Sequence, residues 1–117
     1  MFPPFDAGAR RACRHAASVE EKRIERKQLG LAVVGAGRIG GLRARLAAAH
    51  PAVRFIAVSD RDPSRARELA QKTGAQFHSG SNDAVISRPE VDAVVVSTSE
   101  GEHVAPVLRA LELGKPV

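Results

Sequence analysis

The chain has 117 residues, enough to bury one hydrophobic core and too few for a two-domain enzyme. Its 44% hydrophobic and 26% charged residues exclude a low-complexity or fibrous chain, and the lack of Trp and Tyr leaves the core to Val, Ile, Leu and Ala, which suits a parallel sheet covered by helices. The net charge of +5 is concentrated: residues 1–29 hold seven Lys/Arg against four Asp/Glu, the remainder eleven against nine, and no basic, aromatic-laced face for nucleic acid emerges.

The basic arm, residues 1–29, is expected to be mostly disordered. Ser18 and Glu21 have the spacing of a capping box that could open a short helix through "VEEKRIERKQ", but only Val19, Ile24 and Leu29 could give it a buried stripe. Cys13 is the sole cysteine, so no disulfide forms within the chain, which fits a reducing, cytoplasmic setting. No apolar run reaches membrane-spanning length, and no secretory pattern is present.

From Leu29 the pattern becomes regular. "LGLAVV" is a short apolar run bounded by glycines, as in a strand buried on both faces. "RIGGLRARLAAAH" reads as a helix with Ile39, Leu42, Leu46 and Ala49 inward and Arg43 and Arg45 outward, ended by Pro51. "VRFIAVS" is a second strand. "DPSRARELAQKTG" is a helix with Asp62 as N-cap, Pro63 at its first position, Gly74 as terminator and a stripe of Ala66, Leu69, Ala70 and Thr73.

"AQFH" predicts a third strand, "SNDAVIS" a brief helix capped by Ser81 or Asn82, and "VDAVVVST" a fourth strand. The last helix is expected from about Glu102 to Leu113, with Val104, Val107, Leu108 and Leu111 inward and Pro106 in its first turn. "KPV" then starts a fifth strand. Strands alternating with helices at this spacing imply a Rossmann-type α/β fold, a doubly wound parallel sheet incomplete at its C-terminal strands, formed by residues 30–117.

Gly35, Gly37 and Gly40 form G-x-G-x-x-G directly after a predicted buried strand and at the start of an amphipathic helix. Each has a role in a dinucleotide site: Gly35 for the sharp turn, Gly37 for close approach of a pyrophosphate, Gly40 for packing of helix on strand. The backbone N–H groups of Arg38 and Ile39 would then face the phosphates. Asp60 ends the second strand twenty residues after Gly40, where a carboxylate accepts from the adenosine ribose hydroxyls, and Arg61 beside it could pair with the extra phosphate of NADP. The expected cofactor is therefore NAD, with NADP possible. His15, His50 and His78 lack metal-ligand spacing, and no nucleophile elbow is present.

From Leu31 to Val117 the sequence resembles the N-terminal half of the Gfo/Idh/MocA family of oxidoreductases, through "VVGAGRIG", "AVSDRDPSRARELAQKTG" and "PEVDAVVVSTSEGEHVAPVLRALELGKPV" in that order. The resemblance implies a Rossmann domain followed by a larger α/β domain, oxidation or reduction of sugars and polyols with NAD(P), and a homo-oligomer at full length. "STSEGEH" corresponds to the family's Thr-Pro-Asn-x-x-His loop, which lies against the cofactor. Thr98 and His103 match it, while Ser99 stands for the proline and Glu100 for the asparagine.

The resemblance puts the family's catalytic lysine in a Glu-Lys-Pro segment beyond Val117, so no catalytic residue is expected within the chain, which is read as truncated. Lys115 is read as an ordinary strand-edge lysine. Two further readings stay open on sequence: a non-catalytic NAD(H)-sensing module or inactive fragment, and an S-adenosylmethionine-dependent methyltransferase, which the third glycine fits less well.

Overall fold

The computed structural model describes residues 29–117. The arm before Leu29, with Cys13, His15 and the Ser18–Glu21 pair, lies outside the described residues. The elements run β1 (Leu29–Val34), α1 (Arg38–Ala49), β2 (Val53–Ser59), α2 (Pro63–Thr73), β3 (Phe77–Ser79), α3 (Asn82–Ile86), β4 (Ala93–Val96), a short 3-10 turn (Glu100–Glu102) and α4 (Val104–Glu112).

All strand pairs are parallel and the sheet order is β3-β2-β1-β4. Right-handed crossovers make this order when the chain steps outward from β1 through β2 to β3 and then returns to the other side of β1. The result is the Rossmann-type parallel α/β arrangement expected from the alternating pattern. The expected fifth strand is not formed among the described residues; "KPV" only lies beside β4, where the Val94 N–H donates to the Pro116 carbonyl at 2.8 Å.

The sheet is apolar on both faces because successive side chains alternate across it. Ala32 and Val34 of β1 join Phe55 and Ala57 of β2, and with Val85, Ile86 and Ala110 of α3 and α4 they form one core. Val33, Ile56 and Val58 point the other way, onto Ala44 of α1 and Leu69 and Ala70 of α2. The sequence signals for α2 hold: the Asp62 carboxylate accepts from the Ser64 N–H, Pro63 is at the first position and Gly74 closes the helix. Ser81 rather than Asn82 caps α3, its hydroxyl accepting from the Ala84 N–H.

The faces of α1 and α4 differ from expectation. Ile39, Leu42 and Leu46 are 46% to 63% exposed, and Val104, Leu108 and Leu111 are 54% to 65% exposed. The residues that meet the sheet are instead Gly40, Gly41 and Ala44 in α1, and Pro106 and Ala110 in α4. The reason is steric: a helix can lie close to a strand only along its smallest side chains, so the larger aliphatics are carried to the far side. No described helix is long and apolar enough to cross a membrane.

This assignment of faces predicts a contrast. Ile86 is fully buried, so Ile86→Ala should cost about 2–5 kcal/mol. Leu46→Ala, on the outer side of α1, should change stability by less than about 0.5 kcal/mol. Urea unfolding of the two variants checks this, and a larger loss at Leu46 would mean that α1 is turned the other way.

Candidate functional site

Three loops meet at the C-terminal edge of the sheet: residues 35–37 after β1, 60–62 after β2 and 97–102 after β4. Their backbones are pinned together. The Gly35 N–H donates to the Ser59 carbonyl at 2.8 Å, and the Ser97 N–H donates to the Val34 carbonyl at 2.7 Å.

The three glycines have separate reasons to be glycine. Gly35 has φ +104°, and a Cβ there would meet the Ser97 carbonyl oxygen at 2.7 Å. A Cβ on Gly40 would stand 1.7 Å from the Gly35 carbonyl oxygen, so the first turn of α1 could not sit on the loop. Gly37 is unlike both. Its φ of −79° suits any residue, and an added Cβ would meet nothing within 4 Å. As the N-cap of α1 it is a favoured helix-start residue, but no clash demands glycine there, and a side chain would enter the open space in front of the helix end.

That helix end carries positive potential with no capping side chain among the described residues. Gly37 provides no side-chain cap, and the first turn of α1 contains no acidic residue. Its leading N–H groups, those of Arg38 and Ile39 among them, have no acceptor within the helix, and the helix dipole adds to their attraction for an anion.

Asp60 is fixed by the same loops. One carboxylate oxygen accepts from the Ala36 N–H and the other from the Asp62 N–H, both at 2.9 Å. The carboxylate therefore ties the glycine turn to the end of β2. Each oxygen can accept a second bond, so it remains able to receive hydroxyl donors.

A cleft of about 190 Å³ opens between these loops, with Gly37, Asp60 and Arg61 on one side and Ser97, Thr98, Ser99 and Glu102 on the other. The Thr98 hydroxyl oxygen is buried with no hydrogen-bond partner in the structure, and burial of an unpaired hydroxyl is costly enough to call for a ligand or water. The His103 Nε2 lies 2.6 Å from the Thr98 carbonyl oxygen, an acceptor, so the ring donates to its own loop. His103 thus shapes the loop and does not line the cleft.

Ser99 and Arg61 both reach Glu102. The Ser99 hydroxyl donates to Glu102 Oε2 at 3.0 Å, and Arg61 Nη1 lies 3.1 Å from the same oxygen. Glu100, the acidic replacement in the loop, is exposed and absent from the cleft wall. Arg38 lines an adjoining space between α1 and α2 with Arg45, Arg65, Glu68 and Lys72.

The sequence reading did not single out Asn82, Arg65 or Glu102. Asn82 faces the cleft and accepts from the buried Ser59 hydroxyl at 2.8 Å; Arg65 joins the two spaces through shared walls. The helix-cap signal at residues 81–82 was the only hint for Asn82, and nothing local marks Glu102 as a partner of Arg61.

Lys115 is more than a strand-edge residue. Its ammonium donates to the Ile86 and Arg88 carbonyls at 2.6 and 2.8 Å, anchoring the end of α3, and burial pushes its pKa below the ordinary lysine value. This lies beside the start of β4, at the sheet edge opposite the cleft.

The Gfo/Idh/MocA family model, an oxidoreductase family with an NAD-binding Rossmann fold, matches residues 29–117. Among curated relatives, the inositol 2-dehydrogenase of Rubrobacter xylanophilus is 34% identical over 96 residues, covering 81% of this chain and 27% of that protein. Among solved structures, myo-inositol dehydrogenase from Lactobacillus casei, in complex with NAD(H) and myo-inositol, has a TM-score of 0.69 at 25% identity, covering 74% of this chain and 26% of that one. GenD2 from gentamicin A biosynthesis, in complex with NAD, has a TM-score of 0.70 at 33% identity, covering 75% of this chain and 25% of that one. The chain thus spans about a quarter of the length of these proteins, and the matches favour the oxidoreductase reading over a nucleotide sensor or a methyltransferase.

The geometry of the glycines predicts that Gly37→Val costs no more than about 1 kcal/mol, the loss of a favoured N-cap, since the side chain itself enters open space. Gly40→Val should lose about 3 kcal/mol or more through overlap with the Gly35 backbone. Thermal unfolding followed by circular dichroism compares them; equal destabilisation by both would remove the distinction between Gly37 and its neighbours.

Proposed function

The chain belongs to the Gfo/Idh/MocA oxidoreductase family as its NAD-binding Rossmann domain, and from that premise we propose that it is the cofactor-holding part of a dehydrogenase acting on a polyol or sugar, as in the inositol dehydrogenases. The observation that carries this reading is Gly37, a glycine that neither backbone angle nor packing requires, at the bare positive end of α1.

The residues present fit a dinucleotide. The open space at Gly37 and the N–H groups of Arg38 and Ile39 would receive the pyrophosphate, on a turn built by Gly35 and Gly40. Asp60 would accept from the adenosine ribose hydroxyls, its direction already set by the Ala36 and Asp62 N–H groups. Thr98 and Ser99 would line the other wall, Arg61 would border the ribose, and His103 would hold the Thr98 loop in shape. When bound, the nicotinamide would accept hydride from a carbinol carbon or donate it to the corresponding carbonyl carbon, while the protein supplies orientation.

We assign no acid or base for that transfer to residues 1–117, because Lys115 is committed to two carbonyls at the far edge. It would come from the remainder of a longer polypeptide, as would the substrate pocket. A reducing, cytoplasmic setting is supported by the single cysteine, and a homo-oligomer of the full-length protein by the family resemblance.

Calorimetric or fluorescence titration with NADH tests the proposal. The chain should bind NADH, and Gly37→Val, still folded, should bind it more than tenfold more weakly, which is about 1.4 kcal/mol. Unchanged affinity in the folded variant would refute a phosphate contact at Gly37. A screen of sugars and polyols with NAD and the purified chain should give no change in NADH absorbance; turnover would show that the acid/base lies within these residues.

A further inference from the structure

Arg61 is the cation that follows Asp60 directly, on the cleft wall where a phosphate on the adenosine ribose would approach. Its side chain is 82% exposed, yet it does not stand alone: Nη1 lies 3.1 Å from Glu102 Oε2 across the mouth of the cleft. That oxygen also accepts from the Ser99 hydroxyl at 3.0 Å, which aims the carboxylate towards Arg61. Arg61 comes from the loop after β2 and Glu102 from the turn after β4, and both line the same cleft.

We propose that Glu102 is a positioning residue for cofactor selection, which holds Arg61 away from a 2′-phosphate and so favours NAD over NADP; the proposal rests on the dinucleotide reading above. Two carboxylates divide the work. Asp60, fixed by two backbone N–H groups, repels the phosphate directly. Glu102 occupies the arginine that would offset that repulsion.

A 2′-phosphate adds one to two negative charges beside Asp60 and must take the guanidinium from Glu102 before a bidentate pair can form. NAD makes no such demand, so the Arg61–Glu102 pair can persist and join the two walls of the cleft. An ion pair this exposed is worth little by itself. Its effect is therefore expected in the ratio of two cofactor affinities, where the rest of the site cancels, and not in stability.

The experiment is a double-mutant cycle on the whole chain, with dissociation constants for NAD and NADP measured for the wild type, Glu102→Gln, Arg61→Ala and the double variant. Glutamine keeps the size of the side chain and an acceptor for Ser99 but removes the charge. Glu102→Gln should move the affinity ratio towards NADP by about three- to fivefold, and the same substitution on the Arg61→Ala background should leave the ratio within about 1.5-fold.

An equal shift on both backgrounds would show that Glu102 acts only through its own charge, and no shift on either would show that it plays no part; each overturns the proposal. Binding of neither dinucleotide by the wild type would overturn the parent reading instead. Circular dichroism of the four proteins confirms that the comparison is between folded molecules.

Discussion

The approach of α1 to the end of β1 sets most of what is found at the C-terminal edge of the sheet. With no Cβ on Gly40, the first turn of the helix rests on the Gly35 carbonyl, a distance that any side chain would close to 1.7 Å. That contact brings the bare N-terminus of α1 to the rim of the sheet, between the loops that follow β2 and β4. It also decides which residues of the helix can face inward, since the stripe that continues from Gly40 must be as small as Gly41 and Ala44.

Around that contact the loops are tied by hydrogen bonds. Asp60 bonds the glycine turn on one side and its own loop on the other, so a residue suited to receive ribose hydroxyls is also a structural tie. The wall from β4 is shaped by His103 on the Thr98 carbonyl and by Ser99 on Glu102. These bonds leave two features without an internal explanation: the open space at Gly37 and the unpartnered Thr98 hydroxyl. Gly37 and Thr98 both line the cleft at the sheet edge where a dinucleotide is bound in Rossmann folds.

Much of this was legible in the sequence because the signals are local. Asp62, Pro63 and Gly74 bracket α2, and the glycine spacing with Asp60 at a strand end describes one strand–turn–helix–strand unit whose geometry is fixed by few residues. The inward faces of α1 and α4 were misread because both helices carry two apolar stripes, one of small residues and one of large. Periodicity marks an apolar face without saying whether closeness or bulk decides the fit, and here closeness does: Gly40, Ala44 and Ala110 are buried while Leu46, Leu108 and Leu111 are exposed. The Arg61–Glu102 pair and the Lys115 anchor were not legible, because each joins residues far apart in sequence whose meeting depends on how the strands are ordered.

The proposed function requires dinucleotide phosphates to lie against the backbone from Gly37 to Ile39. Two-dimensional amide NMR of the labelled chain during titration with NADH addresses it residue by residue. The largest shifts should fall on the Gly37, Arg38 and Ile39 amides and on those of Ala36 and Asp62 that hold Asp60, with Lys115 and Glu90 at the opposite edge unmoved. Saturable binding with its largest shifts away from the glycine turn would contradict it.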